Sequence, residues 1–129
     1  WNHEDVDSRI FQIWIIPTRS GGSPNWGTRP FPKADRSGRF VTLASGFDED
    51  ADALPIRTDA RVLGATLKAG ETVEYPLGAS RHAYLVPAVG RVEVGGVHAR
   101  ARDGLAVSEL EVLTITALED SEIVLVDAA

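Results

Sequence analysis

The stretch that decides the fold is KAGETVEYPLGASRHAYLVPAVG, residues 68–90. It predicts two strands, residues 71–77 and 82–89, because β-branched and aromatic residues recur in both. Gly78-Ala79-Ser80 separates them with typical turn residues. Short strands separated by such a turn indicate a β structure.

The same pattern continues on both sides of this stretch, and no segment shows sustained helical periodicity. Gly95-Gly96 stands between two alternating runs and predicts a two-residue hairpin. Short strands at a spacing of about 8–12 residues predict an all-β sandwich or barrel. The further predicted strands are residues 9–16, 39–44, 60–67, 91–94, 97–101, 104–108, 112–118 and 122–127.

Residues 18–37 are rich in Gly, Pro, Ser and Asn, which excludes a helix or a central strand there. We predict one domain over residues 1–129, with an extended strand and arm at 1–37 and a barrel at 38–129. Four aromatic side chains lie in or beside this segment, which is too rich in Pro and Gly to bury them by itself. They form the predicted interface: Phe11, Trp14, Trp26 and Phe31.

Composition excludes several classes of function. The chain has 13 Lys and Arg against 19 Asp and Glu, a net charge of -6, which disfavours nucleic acid and anionic membranes as partners. Cysteine is absent, so disulfides and thiolate metal sites are excluded. No segment approaches the ~20 apolar residues that span a bilayer, and no basic leader precedes the apolar run at 10–16. We therefore predict a cytoplasmic protein.

The spacing from Gly70 to Gly90 resembles the first motif of the cupin barrel. The segment RVEVGGV at 91–97 resembles the hairpin that comes next in cupins, and RDGLAV at 102–107 resembles the opening of their second motif. The resemblance implies a double-stranded β-helix of the jelly-roll type.

A narrower resemblance lies in FQIWIIP at 11–17, SPNW at 23–26, DARV at 59–62 and DGLA at 103–106. These segments resemble the second cupin domain of pirin-like proteins. The family implies two barrels with a metal in the first only; some members resemble quercetin dioxygenases and others act as transcription cofactors. Because the chain lacks an initial Met, we expect a carboxy-terminal piece without the catalytic half.

The cupin metal ligands have no counterpart in this chain. Laid on the motif, the two His positions fall on Pro76 and Gly78, the Glu position on Ala83, and the His of the second motif near Leu113. We expect these four residues to line the inner wall, where they offer a cation no lone pair. The resemblance therefore implies no metal, no cofactor and no catalytic residue in this chain.

The three histidines are interpreted as solvated. His82 lies one residue before the Glu position, so strand alternation turns it to the opposite face. His98 comes after the glycine hairpin among arginines, and His3 belongs to a linker.

The run Asp48, Asp50, Asp52 echoes a calcium loop, but Ala53 stands where that loop requires Gly and no flanking helices are predicted. A solvated acidic loop is the better interpretation.

The interior is predicted to be filled by seven apolar side chains: Ala83, Leu85, Val92, Val94, Leu105, Val107 and Leu125. The function favoured is a non-catalytic structural and interaction domain, with an amino-terminal cupin domain of the same parent, or a second copy, as partner. Two alternatives stay open: part of a metal-dependent enzyme resembling quercetin 2,3-dioxygenase, and a barrel that binds a small apolar or sugar-like ligand.

Overall fold

Short strands dominate the structure, a computed structural model that describes residues 3–129. The one helix in these residues is a 3₁₀ helix, Lys33–Arg36, and no helix in them is long and apolar enough to cross a bilayer. The strands are β1 Val41–Ser45, β2 Leu54–Pro55, β3 Ala60–Leu67, β4 Thr72–Pro76, β5 His82–Val89, β6 Arg91–Val94, β7 Val97–Arg100, β8 Leu105–Ser108, β9 Val112–Ala117 and β10 Ser121–Ala128.

The strands form two sheets that face each other, which we call the large and the small sheet. The large sheet has the order β2-β1-β3-β10-β5-β8 and the small sheet the order β4-β9-β6-β7. From β3 onward the chain crosses to the other sheet at nearly every connection, the β6–β7 hairpin excepted. All pairs are antiparallel except β1 with β2. The predicted all-β double-stranded β-helix is confirmed, and we call the two facing sheets the barrel.

The core fills the space between the sheets because residues alternate inward and outward along each strand. Along β10 the burial alternates over its full length. The seven residues predicted to line the interior are confirmed: five are buried, and Leu105 and Val107 are partly buried against the core. Each buried aliphatic side chain contributes about 1.5–3 kcal/mol, so a filled interior is what holds the sheets together.

The glycine hairpin is also confirmed. Val94 and Val97 pair across it, and Gly95 and Gly96 both have positive φ, +55° and +81°. A two-residue turn with positive φ at both positions matches the right-handed twist of the strands it joins.

The prediction of a strand at residues 9–16 is wrong for this chain. The segment is extended but pairs with no strand among residues 3–129. It crosses the outer face of the large sheet and is tied down at its far end, where the Thr58 hydroxyl donates to the Ile16 carbonyl oxygen at 2.8 Å and the Thr18 amide to the Arg57 carbonyl oxygen at 3.1 Å. β-Branched composition favours extended backbone, but a strand also needs a free edge to pair with.

Two smaller elements were not predicted from the sequence. β2 is only two residues long, too short to carry a pattern. The 3₁₀ helix lies inside the arm, where a helix had been excluded. It is a single turn, and Pro32 can stand directly before it because the first residues of a helix have no backbone donor to lose.

We predict that Gly90→Ala destabilises the fold more than Gly70→Ala. Both glycines have positive φ, +81° and +86°, where an alanine costs ~1–2 kcal/mol. A Cβ at Gly90 would also strike the carbonyl oxygen of Asp120 and the side chain of Ser121, whereas at Gly70 it would meet open space. We expect an additional loss of ~1–3 kcal/mol for Gly90→Ala in urea unfolding. Equal losses for the two variants would contradict the packing described at Gly90.

Candidate functional site

One end of the barrel is closed by a cluster of charged and polar side chains. Asp127 is 1% exposed and accepts hydrogen bonds from the Tyr75 hydroxyl and from Arg81 Nε, both at 2.6 Å. Arg81 also donates from its Nη1 to Asp59 at 2.7 Å. We call these four residues the Asp127 cluster.

Strand register explains how these residues meet. Asp127 occupies an inward position of β10, directly opposite Ala83 of β5, and Arg81 lies two residues before Ala83 in the turn that leads into β5. Tyr75 comes from the opposing small sheet, where it pairs with Leu113. The cluster therefore ties the two sheets and one turn together at the barrel end.

Residues 46–53 form a loop that covers the cluster. The ring of Phe47 lies under two guanidinium groups, 4.1 Å from that of Arg61 and 5.4 Å from that of Arg81. Arg61 Nε donates to Asp50 at 2.6 Å, and Asp50 also accepts from the Ser45 hydroxyl at 2.6 Å. Loop 46–53 is thus fixed over the barrel end by the contact of the Phe47 ring with two cations and by the paired carboxylate of Asp50.

Burial and pairing set the protonation states of the cluster. Burial raises the pKa of Tyr75, and the hydrogen bond to the Asp127 carboxylate raises it further. Burial acts to lower the pKa of Arg81, but Asp59 and Asp127 together raise it above its usual value. The Ser45 hydroxyl lowers the pKa of Asp50 against the effect of burial, helped by Arg61. At neutral pH Tyr75 is a hydrogen-bond donor and both arginines are cations.

Each oxygen of the buried Asp127 carboxylate accepts one hydrogen bond, from the Tyr75 hydroxyl and from Arg81 Nε. Within residues 3–129, no three His, Asp or Glu side chains are grouped so that they could hold a metal ion. At this barrel end the cluster forms a junction between the two sheets and one turn.

The predicted positions of the lost metal ligands need a correction in β4. Pro76 is exposed and Gly78 half-buried; the residues that face the interior are Tyr75 and Leu77. Because side chains alternate with period two, a displacement of one residue in the motif exchanges the two faces of the strand.

Ala83 and Leu113 are confirmed as interior, 4% and 0% exposed. The corrected wall at the four positions is Tyr75, Leu77, Ala83 and Leu113. Three of these side chains are hydrocarbon, and the tyrosine hydroxyl is bonded to Asp127. Such a set does not fit a cupin metal.

The histidines lie at the surface, as predicted. His82 is exposed at the start of β5 on the face opposite Ala83. His98 is exposed and lies 3.1 Å from the Glu93 carboxylate, which is its cross-strand neighbour. His3 is exposed in the arm.

The acidic run is only partly the solvated loop that was predicted. Asp48 and Asp52 are exposed, but Asp50 is partly buried and paired with Arg61. The interpretation of Asp50 as solvated was wrong, because Arg61 is 11 residues away in sequence and reaches it only through the pairing of β1 with β3.

The four aromatic residues of the arm differ in exposure. Trp14 and Trp26 are almost fully exposed, Phe11 is about half exposed and Phe31 half-buried. Their role as an interface stays a prediction.

Sequence reasoning missed the Asp127 cluster. The available signal was the phase of β10, where Ile123, Leu125 and Asp127 share one face. A carboxylate in phase with buried aliphatic residues indicates a buried ion pair. The identity of its partners could not be read in advance, since Tyr75 is 52 residues away in sequence.

The fold and this junction can now be set beside known proteins. Residues 42–128 match the family described as the quercetinase C-terminal cupin domain. The chain belongs to this pirin-type cupin family. Over its full length it is 68% identical to a pirin-like protein of Caulobacter vibrioides, of which it covers 56%.

More distant relatives agree. The cupin domain is 29% identical over 92% of its length to a protein of Escherichia coli named quercetin 2,3-dioxygenase, of which it covers 49%. It superposes on the solved structure of Escherichia coli YhhW with a TM-score of 0.82 at 28% identity, covering 90% of this chain and 48% of that one. The cupin domain thus spans about half the length of the curated relatives it matches.

We predict that Tyr75→Phe lowers the free energy of unfolding by ~1.5–3 kcal/mol, because Asp127 loses one of its two donors and stays buried. Tyr84→Phe is the matched control: Tyr84 is half exposed on the outer face, so its loss should stay within ~0.5 kcal/mol. Urea unfolding of the two variants measures the difference. Similar losses would mean that the hydroxyl of Tyr75 contributes nothing to Asp127.

The lowered pKa of Asp50 predicts a pH dependence. The ionised Asp50 side chain contributes its full stabilisation at pH values above its ordinary pKa, 3.8. This stabilisation is lost as the pH falls through the lower pKa of the folded state, because the unfolded state takes up the proton first. Asp50→Asn should therefore be less stable than the parent at neutral pH and lose less stability on acidification from about pH 5 to about pH 2. Asp48→Asn, in the same loop but exposed and outside the pairing with Arg61, is the matched control and should be as stable as the parent at neutral pH. An unchanged acid profile for Asp50→Asn would contradict the pairing.

Proposed function

We propose that this chain is a non-catalytic, metal-free cupin domain of a pirin-like protein, with a structural and interaction role beside an amino-terminal cupin domain. The observation that supports this is the inner wall. Where a cupin needs three or four nitrogen or oxygen donors, this domain presents Leu77, Ala83 and Leu113 with a tyrosine already bonded to Asp127.

The buried carboxylate does not change this conclusion. Asp127 is the one acidic side chain among residues 3–129 that is buried, and a cation already accompanies it: the Arg81 guanidinium, 2.6 Å away. An incoming divalent ion would have to displace or lie beside a fixed positive charge, which Coulomb repulsion opposes. In this proposal the domain neutralises its own buried charge with the Arg81 side chain and not with a metal ion.

We assign the activity in the relatives' names to the half of those proteins that this chain does not match. This chain covers 49% of the Escherichia coli quercetin 2,3-dioxygenase, so that reaction has room to take place outside the matched part. In our proposal the present domain supports that half, through an interface that includes Phe11, Trp14, Trp26 and Phe31. Nucleic acid has no part in it, consistent with the net charge of -6.

Metal content and turnover test the proposal together. The purified chain is dialysed after exposure to Fe(II), Mn(II), Cu(II) or Ni(II), its metal is measured by mass spectrometry, and quercetin consumption is followed by absorbance. We expect metal far below one equivalent per chain and no turnover. The Escherichia coli quercetin 2,3-dioxygenase, assayed in parallel, controls for the assay. Stoichiometric metal after dialysis, or quercetin turnover by this chain, would overturn the proposal.

A further inference from the structure

We propose that the outer face of the large sheet carries a binding site for a small organic anion, a carboxylate or phosphate group on an apolar body, held by Arg36 and Arg102. The site lies outside the barrel interior. The inference therefore goes beyond the proposed function and does not depend on it.

The site is a groove of about 940 Å³ between the arm and the large sheet. Its floor includes Val89 of β5 and Val124 of β10, and Ile10 and Phe11 of the arm line it as well. Sites for small molecules have volumes of about 300–1,000 Å³ and mostly apolar walls with a few polar groups. The groove has the size and the floor that the apolar body of a small molecule requires.

The charges around the groove favour an anion. Four basic side chains line it against two acidic ones: Arg9, Lys33, Arg36 and Arg102 against Asp7 and Glu122. One acid is already paired, because Lys33 Nζ lies 2.5 Å from the Glu122 carboxylate. Three guanidinium groups then remain against one carboxylate, in a chain whose net charge is -6. Such a local excess of positive charge attracts small anions.

Arg36 carries a hydrogen-bond donor that is not used. Its Nε is buried and has no hydrogen-bond partner among residues 3–129. The side chain lies against β3 at Gly64, where an added Cβ would come within 3.0 Å of Arg36 Nη1 and 3.4 Å of its Cδ. Gly64 thus leaves the space that Arg36 occupies. A carboxylate or phosphate supplies the acceptor that this Nε lacks, since such groups bind a guanidinium through two parallel hydrogen bonds.

Arg102 lines the groove from a costly backbone conformation. Its φ is +77°, and it is one of two non-glycine residues with positive φ in the described part of the chain. The Arg102 amide donates to the Pro87 carbonyl oxygen at 2.8 Å, which fixes this turn beside β5. Glycine would adopt the same φ without steric cost, so the turn alone does not explain an arginine here. Residues held in such conformations cluster at ligand sites.

The strand order places the two arginines on opposite sides of the groove. Arg36 packs on β3 and Arg102 lies beside β5, with β10 between these two strands. Neighbouring strands are about 4.8 Å apart, so the backbone positions are separated by about 10 Å or more. The apolar body of a ligand fits over Val124 between them. Its anionic group binds Arg36, and Arg102 attracts it from the far side.

An NMR titration of the chain tests the site. The probes are naphthoate and naphthyl phosphate, each an oxyanion on an apolar body, and naphthamide is the neutral control. We expect the Nε–H signal of Arg36 to shift with both anions, and the tighter of the two identifies the preferred oxyanion. Naphthamide should bind at least about tenfold more weakly, the loss of one charge-assisted hydrogen bond. Added salt should weaken the binding of the anions.

Variants assign the binding to the two arginines. Arg36→Gln should raise the Kd of the tighter anion at least about tenfold. Arg39→Gln is the matched control, because Arg39 is exposed, lies outside the groove and donates from its Nε to the Asp35 carbonyl oxygen. It should keep the Kd of the parent. Arg102→Gly should weaken binding without lowering the melting temperature, since glycine accepts the positive φ.

Three results would contradict the inference. If naphthamide binds as tightly as the anions, the groove recognises only the apolar body. If Arg36→Gln and Arg39→Gln weaken binding equally, the attraction is not specific to the groove. The third result concerns the Caulobacter pirin-like protein with its matched part replaced by this chain. If binding is lost there, the amino-terminal domain fills the groove. The proposed function is tested separately, by bound metal and turnover.

Discussion

A carboxylate that is 1% exposed inside an apolar barrel must be paired, and Asp127 imposes this requirement on everything around it. Its two donors come from different places, Tyr75 on the small sheet and Arg81 in a turn of the large one. Arg81 then requires Asp59, and its guanidinium lies over Phe47 together with that of Arg61. One buried charge thereby organises the turn, the loop and the approach of the two sheets at this end of the barrel.

The same junction gives the functional proposal its physical basis. A cupin metal site needs an inner wall of nitrogen or oxygen donors, whereas here three of the four corresponding side chains are hydrocarbon and the fourth, Tyr75, is bonded to Asp127. Loop 46–53 is held over this end by paired charges. In the proposed role this cluster serves to hold the fold, and the most exposed large apolar side chains among residues 3–129 lie on the arm.

Prediction from the sequence succeeded where local pattern decides and failed where a partner decides. Strands predicted at 60–67, 82–89 and 91–94 coincide with β3, β5 and β6, because alternation and glycine turns are local signals. Residues 9–16 have an equally clear strand composition, but they lie across the outer face of the large sheet and not beside one of its edges. The motif identified Ala83 and Leu113 as interior yet was one residue out in β4, where only the observed pairing of Tyr75 with Leu113 sets the phase.

The position of β10 has a consequence for how the chain reaches this structure. β10 lies in the middle of the large sheet, between β3 and β5, although it is the last of the ten strands to leave the ribosome. Until β10 is synthesised, no strand connects β3 to β5 in the sheet. Asp127 is also absent, so Tyr75 and Arg81 lack their hydrogen-bond acceptor. A nascent chain that still lacks β10 therefore leaves one edge each of β3 and β5 unpaired. Folding of such non-local topology is slow and prone to aggregation. The large sheet therefore cannot be completed before β10 has been synthesised.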